Sequence, residues 1–211
     1  MNTPVYNVHY MNNQQKEDTV TLEILQTIEN QSDLTQRHLA DKLDVALGLA
    51  NLYLKRCLGK GLIKIKHAPA NRYLYYLTPK GFAEKSRLTA SYLSSSFNLY
   101  RDASLSINNI YQQCEEKELN RILFCGISEL AEIASIRILD YKLEIVGVFE
   151  PNATSNTFLG FQVWKNLEHV DEYDAILITG LEDAQEKYDF LRNEKKSCSI
   201  FSPLILGIKT K

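Results

Sequence analysis

The sequence predicts an α/β protein with an N-terminal winged helix-turn-helix, a long connecting helix, and a C-terminal Rossmann-like parallel α/β sheet. Three observations predict this order. Helical spacing of apolar residues changes to a two-residue alternation near residue 62, no proline occurs from 80 to 119, and apolar runs alternate with helical segments from 120 onward. The 211 residues accommodate two small domains. The predicted segments are a flexible leader (1–17), the winged domain (18–79), the helix (80–118) and the sheet domain (119–211).

Charge is distributed unevenly along the chain. The overall net charge is −2, but residues 1–110 carry 13 Lys and Arg against 9 Asp and Glu, a net of +4. Residues 111–211 carry 11 against 17, a net of −6, whereas residues 35–87 alone have a net of +8. A basic half followed by an acidic half indicates two domains with different partners.

Several classes of protein are excluded by simple patterns. No run approaches 18 apolar residues, which excludes a predicted transmembrane helix, and the polar start lacks the basic and apolar regions of a secretory signal. The four cysteines are widely spaced without a CxxC pair, and the four histidines are scattered. Neither pattern predicts a zinc site or a disulfide framework. We therefore expect a cytoplasmic protein without a membrane partner or a bound metal.

The basic half begins with three helical segments. Residues 19–30 place apolar side chains on one helical face, and Thr35 fits the N-cap of a second helix. Residues 44–46 form a short turn into a third helix, which Gly59 and Gly61 end. Two short helices joined by a tight turn are typical of a helix-turn-helix.

A β-hairpin is predicted to follow the third helix. Apolar and basic residues alternate over residues 62–67, residues 68–71 have turn composition, and residues 73–77 are aromatic and β-prone. A helix-turn-helix followed by such a hairpin is a winged helix-turn-helix, and its short basic tip is expected to reach the DNA backbone or the minor groove.

The residues of this segment supply candidates for DNA contact. The outer face of the third helix is predicted to enter the major groove, where Asn51 can pair with adenine and Lys55 with guanine or phosphate. The start of the second helix and the wing are expected to contact phosphate. For these polar residues the alternative is an ordinary solvated surface. The candidates are Thr35, Gln36, Arg37, Gly48, Asn51, Leu52, Lys55, Lys64, Lys66 and Arg72.

The basic half resembles a known family. The run LTQRHLADKLDVALGLANLYLKRCLGKGLIKIK, followed by NRYLYYLTPKGFAEKSRLTASYLSSSF, is similar to the MarR-type regulators associated with exopolysaccharide gene clusters. The resemblance covers about residues 20–102 and implies a winged-helix transcriptional regulator that binds double-stranded DNA. One difference is Leu49, where that family tends to have Lys.

The long connecting helix is predicted to form a homodimer. Apolar and small residues recur at alternating spacings of four and three, which weakly matches a coiled-coil seam. A dimer would read two DNA half-sites, whereas the alternative is a connector packed within its own chain. The seam consists of Phe82, Ser86, Thr89, Leu93, Ser96, Tyr100, Ala103, Ile107, Ile110 and Cys114.

The acidic half alternates β and α segments, which predicts a doubly wound parallel sheet. Ligands of such sheets bind at the carboxyl ends of the strands. A loop at the start of a helix can hold phosphate, and Glu150, after the second strand, can bond ribose hydroxyls. Nucleotide-binding loops of this kind carry the glycine fingerprint GxGxxG, but residues 126–131 read GISELA and keep only the first glycine. The alternative that this half is a module used only for packing or dimerisation therefore stays open. The candidate ligand-binding residues are Gly126, Ile127, Ser128, Glu129, Leu130 and Glu150.

This half also resembles known proteins. The runs RILFCGISELAEIA, LEIVGVFEPN and LGFQVWKNLEHVDEYDAILIT are similar to the N-terminal nucleotide-binding domain of polysaccharide-biosynthesis enzymes. The resemblance implies a pocket for a nucleotide-sugar or a dinucleotide such as NAD, but it does not imply catalysis, because the catalytic parts of those enzymes lie elsewhere. The leading hypothesis is a non-enzymatic regulator of exopolysaccharide or surface-glycan genes that senses such a ligand. The alternatives are a DNA-bound scaffold and an NAD(H)-responsive redox repressor.

Overall fold

The computed structural model describes residues 13–33, 35–68, 72–170, 172–194 and 198–209. The chain divides into two compact units between Ser96 and Phe97. The predicted α/β class is confirmed, with a winged helix-turn-helix first, a long helix next and a mainly parallel sheet last.

Three helices open the first unit: α1 (Asn13–Asn30), α2 (Gln36–Lys42) and α3 (Leu47–Gly59). Helix α1 begins inside the segment predicted as a flexible leader, so residues 13–17 are helical, and residues 1–12 lie outside the described residues. Thr35 is the N-cap of α2 as predicted, since its hydroxyl oxygen accepts a hydrogen bond from the His38 amide at 3.1 Å.

The predicted hairpin follows α3. Strands β1 (Ile63–Ala68) and β2 (Arg72–Leu77) pair antiparallel, with Ile63 opposite Leu77. The Tyr75 amide donates to the Ser32 carbonyl at 2.8 Å, which ties β2 to the turn after α1. Residues 69–71, at the predicted tip, lie outside the described residues.

Helix α4 (Pro79–Glu116) runs for 38 residues. Thr78 caps it, since its hydroxyl oxygen accepts a hydrogen bond from the Gly81 amide at 3.0 Å. The Thr78 O–H group donates to the Gly61 carbonyl at 2.7 Å. A Cβ at Gly81 would lie 2.0 Å from the Leu62 carbonyl oxygen, so only glycine allows the first turn to lie this close to the hairpin base.

The second unit contains a mixed, mainly parallel sheet with helices. Its elements after α4 are β3 (Arg121–Cys125), α5 (Glu129–Arg137), β4 (Glu144–Phe149), β5 (Thr157–Phe158), β6 (Phe161–Trp164), β7 (Ala175–Ile178), α6 (Ala184–Asn193) and β8 (Ser199–Phe201). The strand order is β5-β6-β4-β3-β7-β8, and β5 alone among these described strands pairs antiparallel. From β3 the chain first adds β4 and β6 on one side of the sheet and then adds β7 and β8 on the other side, so the order of strands reverses between β3 and β7.

The carboxyl-terminal part of α4 packs inside the second unit. The prediction that the whole seam contacts a second chain is therefore wrong for its last four positions. Ala103, Ile107, Ile110 and Cys114 are all buried in the same core as the sheet. The Tyr111 hydroxyl, also buried, donates to the Ala134 carbonyl at 2.9 Å. These seam positions are apolar because they face the sheet domain, so they are unavailable to a second chain.

Candidate nucleic-acid interface and candidate ligand site

Helix α3 has one buried face and one exposed face. The buried residues pack in the core of the first unit: Ala50, Leu54 and Cys57. Gly48, Leu52 and Lys55 are exposed, so the structure brings together three of the four residues predicted to face the major groove. Burial of the inner face fixes which side of the helix a partner can reach.

Asn51 differs from that prediction. It lies at the flank of α3 and is half-buried, and its side-chain oxygen is buried with no hydrogen-bond partner among the described residues. A bidentate contact to adenine uses both the oxygen and the nitrogen of the amide. In this conformation the oxygen points away from solvent, so the predicted adenine contact requires the side chain to rotate.

The predicted phosphate contacts lie at the start of α2 and along the wing. Gln36 and Arg37, in the first turn of α2, are exposed. Lys64 and Lys66 are exposed on β1, and the Lys66 ammonium lies 5.5 Å from the centroid of the Tyr76 ring. Arg72 begins β2, but its side chain lies outside the described part of the structure.

Two further cations near the end of α3 already have acidic partners. Arg56 and Lys60 each lie 3.3 Å from a carboxylate oxygen of Glu17. Their charge is therefore partly neutralised within the unit, so they are weaker candidates for phosphate contact than the neighbouring Lys55.

The candidate ligand site lies at the carboxyl ends of β3 and β7, where the two following loops touch. A Cβ at Gly126 would lie 2.3 Å from the Gly180 nitrogen, and the Thr179 hydroxyl donates to the Gly126 carbonyl at 2.6 Å. Gly126 also has a φ of 109°, which favours glycine. The residue type at 126 is thus required by packing between loops, independently of any ligand.

Ser128 replaces the second glycine of the fingerprint and has a structural role. Its hydroxyl oxygen accepts from the Leu130 amide at 3.0 Å, which caps α5, and its hydroxyl donates to the Thr179 carbonyl. Ile127, Glu129 and Leu130 complete the predicted loop. The hydroxyl of this candidate ligand-binding residue is therefore already used within the unit.

Glu150 also has a protein partner, which sequence reasoning missed. The Lys187 ammonium on α6 lies 2.7 Å from a Glu150 oxygen and 2.7 Å from an Asp183 oxygen. The side chains of Lys187 and Glu150 are only 11% and 13% exposed. The i,i+4 spacing of Asp183 and Lys187 is a sequence pattern that indicates an ion pair on a helix. No sequence pattern indicates the pair between Lys187 and Glu150, because the two residues are 37 positions apart.

The same contacts determine the protonation state of Lys187. Burial lowers the pKa of Lys187, but hydrogen bonds to Asp183 and Glu150 outweigh burial, so its pKa lies above the ordinary value. Lys187 is therefore a cation at neutral pH. A Cβ at Gly180 would lie 3.0 Å from its nitrogen, so glycine at this position leaves room for the ammonium.

A shallow cavity lies at the opposite edge of the sheet. Its volume is about 290 Å³, and it is lined by Glu115, Glu118, Asn120 and Lys142. Asn120 and Lys142 precede β3 and β4, so this cavity is at the amino ends of the strands, away from the edge where ligands of parallel sheets bind.

Membrane spans, metal sites and reactive thiols are the other features that bear on function. Within the described ranges, no helix is long and apolar enough to cross a bilayer. Among those same residues, no group of three or more His, Cys, Asp and Glu side chains could hold a metal ion.

Burial raises the pKa of the Cys57 thiol to about 11 and that of the Cys125 thiol to about 12, so both are protonated at neutral pH.

Comparison with known families identifies the first unit. Residues 17–64 match the family described as winged helix-turn-helix DNA-binding, a range that includes α2, α3 and the start of β1. The matched range and the structure thus agree on a winged helix-turn-helix in the first unit. No curated protein matches the sequence.

Solved structures with similarity to the chain include transcription regulators and another DNA-binding protein. MepR, a transcription regulator of the Staphylococcus aureus multidrug efflux pump MepA, is 23% identical with a TM-score of 0.35, over 39% of this chain and 61% of MepR. The MarR family transcription regulator SP03579 is 17% identical with a TM-score of 0.34, over 48% of this chain and 80% of that chain. Sso10a-2, a DNA-binding protein from Sulfolobus solfataricus, is 19% identical with a TM-score of 0.34, over 43% and 87%. The chain thus spans about three-fifths of the length of MepR.

We predict that Lys187→Met destabilises the second unit by roughly 3 kcal/mol, because it leaves Glu150 buried without its cation. The double variant Lys187→Met, Glu150→Gln should recover most of that loss. Urea unfolding followed by the fluorescence of Trp164, the single tryptophan of the chain, reports on this unit. The control is Arg121→Met, which breaks a more exposed ion pair with Glu172 in the same unit and should cost less than about 1 kcal/mol.

The pH dependence of the same stability follows from the raised pKa of Lys187. A raised pKa contributes stability that is complete below the ordinary lysine pKa and is lost as pH rises through the folded-state value. Wild type should therefore lose stability relative to the double variant only in alkaline solution. An equal loss in both proteins would contradict the assignment of that stability to Lys187.

Proposed function

We propose that this protein is a dimeric transcription regulator that binds double-stranded DNA through its first unit. The observation that carries the proposal is an exposed, partly basic face of α3 within a matched winged helix-turn-helix domain. The segment 35–87, which includes this face, has a net charge of +8. Clustered positive charge around a recognition helix supplies affinity for the phosphate backbone.

The proposed docking assigns a role to each candidate. The α3 face, through Gly48, Leu52 and Lys55, enters the major groove, as second helices of helix-turn-helix motifs do. Gln36 and Arg37, at the start of α2, contact phosphate. The wing residues (Lys64, Lys66 and Arg72) contact the adjacent backbone.

We propose that a second copy of the chain binds to the central part of α4. Leu93, Phe97 and Tyr100 recur at i, i+4 and i+7, which places them on one helical face, and each leaves more than two-fifths of its surface exposed. This stripe falls within the predicted 80–118 dimerisation helix but excludes the seam positions that the sheet domain buries. A dimer provides two α3 helices for two half-sites.

The proposal for the second unit is a nucleotide-type ligand, a nucleotide-sugar or NAD, at the carboxyl edge of the sheet. The strand order reverses between β3 and β7, and such reversals create the crevice in which nucleotides bind in Rossmann-like sheets. Amides of the first turn of α5 and the Lys187 ammonium can contact phosphate. The ligand would have to draw Lys187 away from Glu150 before that carboxylate could bond ribose.

Regulation would follow from a shift between dimer geometries. A ligand that binds one geometry better changes the distance between the two α3 helices, and with it DNA affinity. The resemblance to exopolysaccharide-associated regulators supports surface-glycan genes as targets. Such a regulator acts on the chromosome, so we propose a cytoplasmic, non-enzymatic role.

A DNA-bound scaffold is the second candidate function. The observation that favours it is that the hydroxyl of Ser128 and the carboxylate of Glu150 both have protein partners. In this alternative the second unit serves only dimerisation or protein contacts. Ligand titration separates the two candidates.

For DNA binding, we expect Lys55→Ala and Lys64→Ala each to weaken binding to a duplex selected from a random pool. Removal of one phosphate contact should reduce the slope of log affinity against log salt by about 0.9, because fewer counterions are released. The measurement is fluorescence anisotropy across a salt series. Lys165→Ala, an exposed lysine of the second unit, is the control and should match wild type. Wild-type behaviour of both test variants would refute the docking.

For the dimer, we expect Phe97→Glu to yield a monomer at micromolar concentration, because it introduces a charge into the apolar stripe. Leu99→Glu is the matched control: Leu99 is 50% exposed and Phe97 60%, but Leu99 lies on another side of α4. Sedimentation velocity measures both. A monomeric wild type, or identical behaviour of the two variants, would contradict the stripe as the interface.

For the ligand, we expect a UDP-sugar, NAD⁺ or NADH to raise the stability of the second unit against urea, monitored by Trp164 fluorescence. At 100 times the dissociation constant the gain should be about 2.7 kcal/mol. A response to NADH alone would favour the redox repressor. No response to any of the three would contradict the sensor and favour the scaffold.

A further inference from the structure

Three exposed leucines lie on the amino-terminal half of α3. Leu47, Leu49 and Leu52 are 44%, 42% and 46% exposed. Leu49 and Leu52, spaced i,i+3, are neighbours on the helix surface, and we call these two residues the leucine patch. Single exposed leucines are common on protein surfaces, whereas neighbouring exposed leucines offer a continuous apolar area for contact. The patch is therefore suited to a partner that presents apolar groups to this side of α3.

The surroundings of the patch restrict the chemistry of that partner. Exposed cations occur on the same unit, with Lys55 one turn further along α3, Arg37 on α2, and Lys64 on β1. Because Lys55 is i+3 from Leu52, a partner with a negative group beside its apolar groups fits the patch. At Gly48 an added Cβ would meet nothing within 4 Å, so a partner can approach the α3 backbone between the leucines.

Duplex DNA has this combination of groups in its major groove. Phosphates line the groove, and among the base edges the C5-methyl of thymine is the group suited to apolar contact. Recognition helices place their amino-terminal residues at the base edges, which is where the leucine patch lies on α3. Leucine cannot pair with phosphate or with the polar edges of guanine.

We infer that the leucine patch packs against thymine methyl groups, so that the protein selects operator half-sites with thymines where α3 enters the groove. The inference rests on the proposed DNA-binding function and specifies the bases it reads. Lys55, one turn beyond Leu52, then contacts a phosphate or a guanine at the border of the thymine run.

The test uses the full-length protein and a duplex that it selects from a random pool. A second duplex has every thymine replaced by deoxyuridine, which removes the methyl groups but keeps base pairing and the O4 acceptor. Wild type should bind the deoxyuridine duplex about fourfold more weakly for each methyl group that the patch buries, because burial of one such group is worth about 0.8 kcal/mol.

Leucine variants assign that weakening to the patch. Leu49→Ala and Leu52→Ala should weaken binding to the thymine duplex while leaving affinity for the deoxyuridine duplex nearly unchanged, so the ratio of the two affinities falls toward one. Leu139→Ala, an 81% exposed leucine of the second unit, should keep the wild-type ratio. Thermal unfolding of each variant should match wild type, because exposed positions contribute little to stability.

The outcomes separate this inference from the proposed function. If no duplex is enriched from the pool, DNA binding itself is refuted. If a duplex is enriched but deoxyuridine binds as well as thymine, DNA binding stands and the thymine contact is overturned. The inference is also overturned if both leucine variants keep the wild-type ratio, which would leave the patch for contact with a protein.

Discussion

Helix α4 carries the strongest constraint on this chain, because one helix must supply apolar residues to two separate cores. Near its start Leu88 is buried in the core of the first unit, and near its end Ile107 and Tyr111 are buried in the core of the second. Between them Phe97 is 60% exposed. The apolar spacing of such a helix reflects packing against two different cores. Spacing alone therefore cannot show which partner each apolar residue contacts.

The elements of the fold were predictable because each has a local signal. Thr35 as an N-cap, the alternation of Ile63 and Lys64, and the apolar run of β3 depend on neighbours in sequence. The seam of α4 was harder, because Ile107 has the same apolar character whether it faces a second chain or its own sheet. Burial that depends on distant residues decides between these cases.

The candidate sites show the same limit. The outward positions of Gly48, Leu52 and Lys55 follow from helical periodicity and were predicted, whereas the buried oxygen of Asn51 was not. At the sheet edge, the loop after β3 was located from its glycine, but Lys187 lies far along the chain from Glu150. No spacing rule connects the two, because the ion pair exists only once β4 and α6 have assembled.

The ion pair between Glu150 and Lys187 also bears on how the protein is maintained in a cell. The chain neutralises its own buried carboxylate, so the second unit avoids the cost of an unpaired buried charge. Loss of the Lys187 cation would leave Glu150 buried and unpaired, so a larger fraction of molecules would have the second unit unfolded. Unfolded segments are the substrates of cellular proteases, so this single ion pair contributes to the lifetime of the whole chain.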